Sequence, residues 1–398
     1  MNPIQSILIP EYLKKFQCLG SDCSDTCCGG WNVDINKSAF KLYKELIDNT
    51  ESHPNLLTKK INNNNPELYG TLHLENTMCP LLDNNALCTI HKENGEKSLS
   101  NVCASYPKIS NVINEVMLQQ SALVSCPEIA RLALLNKEGI GFILEIFPQN
   151  ERILINNNTN YNSANSDLRV YFNKIQCYIV DILQNRNLEI EDRMIYLGLL
   201  IDNLSKLQLS NTEEQLELLF SEINELIRQN EISGKLSPKL SVQYNFITNI
   251  IIPEDLSIIK NLKFLRLIEE IKSKYQSNFS LFESALEHFL QNFHKKYSYI
   301  FENYLVNHVY NLMFPFNGNY LFEEYMKLTL NFVFVRFLII SLFHERNGYE
   351  EVEIIELIQS YSRGLGQNEK AFNNIVKAVK ADGNNNLSFM FLLLKITS

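Results

Sequence analysis

Four thiols fall within eleven residues, at Cys18, Cys23, Cys27 and Cys28, and four more follow at Cys79, Cys88, Cys103 and Cys126. Only Cys177 lies elsewhere, so eight of nine cysteines occupy the first third of a 398-residue chain. Cysteines used as small hydrophobes scatter through a core. Thiolates gathered at short intervals suit a metal ion or a cluster, because several must converge on one centre. A tetrahedral zinc and a four-iron cluster each take four protein ligands. Eight cysteines therefore imply either two centres or a share of structural thiols. The adjacent pair Cys27-Cys28 fits a larger cluster or two centres better than one small ion, since neighbouring side chains point apart. The spacing C-x4-C-x3-C-C matches no standard zinc finger. It also differs from the C-x3-C-x2-C run of radical enzymes that use S-adenosylmethionine. Spacing alone leaves iron and zinc both open.

Composition narrows the setting. Apolar residues make up 45% and charged residues 20%, as in an ordinary soluble protein. The net charge of −9 argues against a dedicated nucleic-acid binder. The first ten residues lack the charged leader and long apolar run of a signal peptide. The most apolar stretch, 328–343, is short for a bilayer and carries Asn331 and Arg336, so it reads as a buried helix rather than a membrane span. A cytoplasmic location follows as the expectation, and there thiols stay reduced. Disulfide frameworks belong to short secreted chains, which favours metal over bridges.

The elements that must position the thiols read as follows. Residues 11–36 form a cysteine-bearing loop with a short extended exit at 31–35. A helix over 37–49 is capped by Asn36 or Ser38. The asparagine run 62–66 is a loop, and 69–74 alternates like a strand. Asp83-Asn84-Asn85 is turn chemistry that puts Cys79 and Cys88 on the arms of a hairpin. Cys103 sits on a short helix before Tyr106-Pro107. A strand is expected over 116–124, and Cys126-Pro127-Glu128 opens a helix. The asparagine-rich stretch 148–168 reads as a domain boundary. The spacing beyond it predicts helices over 167–184, 190–208, 212–230, 241–251, 255–275, 281–296, 320–343, 349–363, 369–381 and 387–395. The expected fold is predominantly α: a cysteine-rich, metal-binding N-terminal domain (1–150) with a few short strands, then an all-helical region (160–398).

The cysteine blocks carry a resemblance. Cys18 and Cys23 with Cys27-Cys28-Gly29-Gly30-Trp31, Cys79-Pro80-Leu81-Leu82-Asp83 with Leu87-Cys88-Thr89-Ile90, Cys103 with Tyr106-Pro107, and Ser125-Cys126-Pro127-Glu128 with Ala130-Arg131-Leu132 resemble the flagellin lysine-N-methylase family. The first two blocks are also similar to cysteine-rich domains described as zinc- or iron-chelating. The motifs span about residues 11–135, and Lys108 stands where the family more often has arginine. The resemblance implies methyl transfer from S-adenosylmethionine to lysine ε-amino groups of flagellin. It also implies that the cysteines hold a [4Fe-4S] cluster, with zinc as the alternative. The sequence itself shows no strand, glycine-rich turn and helix of the usual cofactor-binding kind. Gly364-Leu365-Gly366 reads as a helix end and turn. Catalytic and S-adenosylmethionine-binding residues are not identifiable from the sequence.

Other residues take ordinary roles in this reading. His91 is an exposed hairpin histidine, and His288, His294, His308 and His344 form no cluster. Asp22, Asp25 and Asp34 border the thiol loop as turn caps, with capture of a lysine ammonium as the sharper alternative. Trp31 reads as a core anchor, with stacking on adenine the other choice. Cys177 reads as buried in a helix, and the aromatic segment 297–325 as core or as a groove for a partner helix. Two non-enzymatic readings compete with the methyltransferase. One is an iron- or zinc-binding or redox-sensing module on a helical scaffold. The other is a structural zinc domain that presents the helices to a partner. No nucleic acid and no membrane enter as partners.

Overall fold

The structure is a computed structural model, and it describes residues 4–48, 56–60, 68–114, 117–147, 153–159, 168–207, 211–251, 259, 261–343 and 350–397. The asparagine run 62–66, residues 160–167 of the asparagine-rich stretch, and His344 lie outside the described residues.

Among the described residues, eight strands occur, all before residue 160. They are β1 (Ser6–Pro10), β2 (Val33–Ile35), β3 (Leu57–Lys59), β4 (Gly70–Leu72), β5 (Lys108–Ile113), β6 (Met117–Ala122), β7 (Phe142–Ile146) and β8 (Ile155–Thr159). Five form a mixed sheet in the order β7-β1-β6-β5-β8, and three form a small antiparallel sheet, β2-β4-β3. In the larger sheet β1 runs parallel to β6 and β5 parallel to β8, while β1–β7 and β5–β6 are antiparallel.

The same region carries α1 (Lys37–Asp48), α2 (Thr89–Asn94), α3 (Asn101–Ser105) and α4 (Pro127–Leu134). After it the described chain is helical: α5 (Phe172–Leu183), α6 (Ile190–Leu204), α7 (Thr212–Gln229), α8 (Glu231–Gly234), α9 (Leu240–Phe246), α10 (Leu262–Tyr275), α11 (Phe279–Phe289), α12 (Lys295–Asn311), α13 (Leu321–Phe343), α14 (Glu351–Tyr361), α15 (Glu369–Ala381) and α16 (Leu387–Leu394). The sequence-based helices therefore exist. Two helices of this part lie outside those expectations: the one-turn α8, and α12, largely inside the aromatic segment 297–325, where apolar residues on every side erase the period.

Asparagine does local work here. The side chains of Asn36, Asn261, Asn278, Asn368 and Asn386 each accept the backbone N–H three residues on, at the start of a helix. Helix α13 is long and apolar enough to cross a membrane, but 89% of its apolar window is buried inside the fold. It is the central core helix. Gly198 on α6 lets Tyr325 of α13 approach so closely that a Cβ would sit 2.4 Å from the tyrosine oxygen. The Tyr325 hydroxyl donates to the carbonyl of Met194, 3.0 Å away.

The larger sheet shares its hydrophobic core with the helices: Ile7, Leu118 and Ile129 belong to the same buried cluster as Phe172, Phe301 and Phe332. Tyr12 ties the two together. Its hydroxyl donates to Asn307 Oδ1 at 2.5 Å and accepts the Ala122 N–H at 3.2 Å. A second, smaller core (Val33, Ile35, Ala39, Tyr43, Leu72, Ile90) underlies the small sheet, and Cys79, Cys88 and Cys103 pack against it.

The strand count exceeds the few short strands expected. β1, β3, β5, β7 and β8 fall where no alternation in the sequence marks a strand. β8 lies inside the asparagine-rich stretch, where Asn156 accepts the Ser110 N–H at 2.9 Å and Asn157 donates to Asn111 at 2.9 Å. Side-chain amides there support a strand that no apolar alternation announces.

Candidate functional site: the thiol cluster

Cys79, Cys88, Cys103 and Cys126 are placed by short local devices. The turn at Asp83-Asn84-Asn85 forms as expected: Asp83 Oδ1 accepts the N–H groups of Asn85 and Leu87, and Leu82 bridges Cys88 in antiparallel fashion. Cys88 occupies the N-cap position of α2 and Cys126 that of α4, each with extended backbone and with no capping hydrogen bond from its side chain. Backbone N–H groups of Ile90 and His91 point at the Cys88 thiol, those of Glu128 and Ile129 at Cys126, and that of Leu81 at Cys79. N–H groups directed at sulfur stabilise a thiolate, as the outer shell of a thiolate-ligated metal must. Cys103 sits in α3, whose N-cap Ser100 accepts the Cys103 N–H at 3.1 Å, while the Ser100 N–H donates to the Tyr43 hydroxyl at 2.8 Å. The loop strand reaches its partner directly: Cys79 N–H donates to the carbonyl of Cys28 at 2.7 Å.

The eight clustered thiols share one electrostatic neighbourhood. The adjacent thiols Cys27 and Cys28 act on each other, which pushes Cys27 up and lowers Cys28 to about 7, with the Arg363 guanidinium also lowering Cys28. Cys27 also feels Cys18 and Cys103. Cys79 feels Cys28, Cys103 and Cys88, and burial raises it to about 12. Cys126, raised to about 11 by burial, feels Cys23 and Cys18. Burial also raises Cys23 and Cys88. Cys126 is buried, Cys18 and Cys27 are exposed, and the other five are half-buried; thiolates set near one another carry an electrostatic cost in ionising that a bound cation removes. No group of three or more Cys, His, Asp or Glu among the described residues converges tightly enough for a single ion. A multi-iron cluster spreads its metal atoms and does not need its ligands to meet at one point. The donor set, all soft sulfur with directed N–H groups, suits such a cluster or thiolate-bound zinc.

The loop is clamped by the far end of the chain. Arg363 lies in a five-residue π-turn, Ser362–Gly366, that continues α14. Its Nη2 donates to the carbonyls of Thr26 and Gly29, and its Nη1 pairs with Asp25 Oδ1 at 2.6 Å as an ion contact outside hydrogen-bond angles. Gln359, one turn earlier, donates to Asp25 Oδ2 and to the Ser125 carbonyl, both at 2.8 Å. One amide thus links the loop to the residue before Cys126. Gly364 has no room for a side chain: a Cβ would lie 2.3 Å from the Phe264 ring. Single π-turns of this kind often mark functional positions.

Several expected roles change. Gly364-Leu365-Gly366 does end a helix, but through a π-turn that closes α14. Trp31 is no core anchor; it is 37% exposed, donates from Nε1 to the Cys27 carbonyl at 3.0 Å, and faces Tyr106 with ring centroids 6.3 Å apart. Cys177 is exposed, because the buried face of α5 runs through Ile175, Gln176, Ile179 and Val180 and leaves it outside. Asp34 is structural, paired with Lys60 at 2.7 Å and accepting from Thr71 at 3.0 Å. His91 is exposed, and Asp25 serves the clamp. The sequence reading missed Arg363 and Gln359. The available signal was a charged residue followed by Gly-Leu-Gly at the end of an apolar helix.

The FliB lysine N-methylase C-terminal domain matches residues 176–393, more than half of the 398-residue chain. The chain belongs to the FliB lysine N-methylase family. The flagellar biosynthetic protein FliU of Salmonella muenchen is 35% identical over 126 residues, which is 30% of this chain and 72% of that protein. Two proteins named lysine-N-methylase, from Salmonella typhimurium and Salmonella choleraesuis, are each 33% identical over 126 residues. That alignment covers 30% of this chain and spans only 30% of each of theirs. No solved structure matches the chain.

Proposed function

We propose that this protein is a protein-lysine N-methyltransferase that takes the methyl group from S-adenosylmethionine and places it on lysines of flagellin. The observation that carries this reading is the thiol cluster, set in a chain of this family and clamped by Arg363 onto the helical part that the family domain covers. The lysine must first lose a proton. Its neutral nitrogen then attacks the methyl carbon, the sulfonium S–CH3 bond breaks, and S-adenosylhomocysteine leaves. Little covalent help is needed, so positioning and exclusion of water supply most of the acceleration.

Cys18, Cys23, Cys27, Cys28, Cys79, Cys88, Cys103 and Cys126 would hold one or more metal centres, read here as a [4Fe-4S] cluster with zinc as the alternative. When bound, such a cluster supplies a Lewis-acidic iron able to take the amino and carboxylate groups of the cofactor's methionine part. The chain's own contribution is to hold the thiols ready. Trp31, half-exposed beside Cys27, offers a flat apolar face at the edge of the cluster. The reading places the reaction in the cytoplasm, where the thiols stay reduced.

The test is methyl transfer itself. Anaerobically purified protein, S-adenosylmethionine and unmodified flagellin should give flagellin peptides heavier by whole methyl groups on lysine. Metal uptake without cofactor binding or transfer would favour the non-enzymatic metal-module reading.

A further inference from the structure

A basic cleft lies at the opposite end of the helix pair that holds the thiol loop. α4 starts beside Gln359, which donates to the Ser125 carbonyl, and the turn after α4 ends at Lys137, which pairs with Glu351 at 3.3 Å. α4 and α14 therefore run antiparallel. At the Lys137–Glu351 end, Arg186, Lys295, Lys296 and Tyr299 complete a half-open cleft of about 330 Å³. Four cationic side chains face a single carboxylate there.

Two of these four cations are committed and two are not. Arg186 is spent on the buried Glu302, with contacts of 2.9 and 3.0 Å, and Glu351 is shared by Lys137 and the Tyr299 hydroxyl. Lys295 and Lys296 are exposed and make no ion pair with a described residue; Lys296 lies over the Tyr297 ring at 4.7 Å. On a chain of net charge −9, such a spot is where an acidic partner meets attraction instead of repulsion.

We propose that this cleft binds carboxylate side chains of the protein substrate and so sets the register in which a lysine meets the thiol cluster. The proposal rests on the methyltransferase reading. Carboxylates of a peptide are favoured over a small free anion for two reasons. The cleft is open along one side, and its cations are flexible lysines on a rim, not arginine forks converging in an enclosed pocket. From Glu351 to Gln359 and Arg363 the helical rise is about 12–18 Å. An extended peptide covers that span in roughly four to six residues. Acceptor lysines should therefore have Asp or Glu about that far along the chain.

The test uses the full-length protein and a fluorescently labelled peptide with one lysine and a run of glutamates five residues away. Fluorescence anisotropy should show binding that weakens as salt rises. Its glutamine analogue should bind roughly tenfold less tightly, as should the Lys295→Glu/Lys296→Glu protein with the glutamate peptide. Equal binding of the two peptides, equal binding by the charge-reversed protein, or full displacement of the peptide by inorganic phosphate at matched ionic strength would overturn the proposal. Both lysines are exposed, so the double variant should keep its circular dichroism spectrum and melting temperature. Because the readout is binding, the two readings fail separately. Lost peptide discrimination with flagellin methylation intact sinks only the cleft. Peptide binding with no methylation of any lysine sinks only the activity.

Discussion

Arg363 and Asp25 form an ion pair of 2.6 Å that joins the last third of the chain to the cysteine loop near its start, with both side chains mostly buried. The same guanidinium donates to the carbonyls of Thr26 and Gly29, on either side of Cys27-Cys28. A single side chain thus fixes the backbone around the adjacent thiols and lends its charge to Cys28.

Arg363→Ala should free that loop. It removes an ion pair and two charge-assisted hydrogen bonds, a loss of about 3 kcal/mol concentrated at residues 25–29. Alkylation of Cys27 should speed up relative to Cys177, Cys23 and Cys28 should lose the charge that favours their thiolates, and metal retention should fall. Arg363→Lys should be intermediate, since an ammonium keeps the charge but cannot span both carbonyls and the carboxylate at once. Unchanged alkylation rates in Arg363→Ala would show that the clamp does not position the thiols.

A second prediction concerns pH. His294 is buried, with Nε2 3.0 Å from Glu191 and Nδ1 3.6 Å from Glu189, and Arg336 lies 3.2 Å from Glu191 on its other side. Burial acts to lower the His294 pKa, but the hydrogen bond and charge of Glu191 outweigh it and the net shift is upward from 6.5. The folded state then holds this proton more tightly than the unfolded state. The pair's contribution is present below about 6.5 and is lost as pH rises through the raised value. Glu191, lowered to about 2 against its own burial, contributes above 4.5 and loses this only as pH falls toward 2. Urea unfolding across pH 6 to 8 should therefore show stability falling in the wild type and a flatter profile in His294→Gln. Identical slopes would contradict this assignment.

Tyr12→Phe should destabilise the join between sheet and helices. It strips Asn307 Oδ1 of its donor and the Ala122 N–H of its acceptor, both in the buried core. The expected cost is about 1–3 kcal/mol in urea unfolding, with the amide α-helical signal unchanged in the native state. A change below a few tenths would mean that water replaces the hydroxyl.

How much of this was legible in the sequence depends on the kind of signal. Helices with one apolar face, such as α1, α7 and α15, were readable from period alone. The turn at Asp83 and the capping proline after Cys126 were readable from local chemistry. Strands β1 and β8 were not. β1 is five residues of mixed burial, and β8 is held by asparagine amides. α12 vanished because Tyr, Phe, Leu and Val surround it on all sides. The cysteines announced the site by clustering, but their clamp did not. Arg363 and Gln359 are remote in sequence, and only the packing of α4 against α14 brings them to the loop. Trp31 was misplaced for a related reason: an indole beside two thiols serves the loop's own carbonyl, not the core.

The central proposal is that the eight clustered thiols hold the metal, in one centre or more, on which methyl transfer depends. The most direct measurement is metal per chain and methyl transfer to flagellin, taken on the same anaerobic preparation for single serine variants. Serine keeps the size and loses the soft thiolate. Metal content and transfer should fall together for Cys23, Cys27, Cys28, Cys88 and Cys103, and to a smaller degree for Cys18, Cys79 and Cys126. Cys177→Ser, on the outer face of α5, should lose neither. Full metal and full transfer in the Cys23, Cys27 and Cys28 variants would contradict the account.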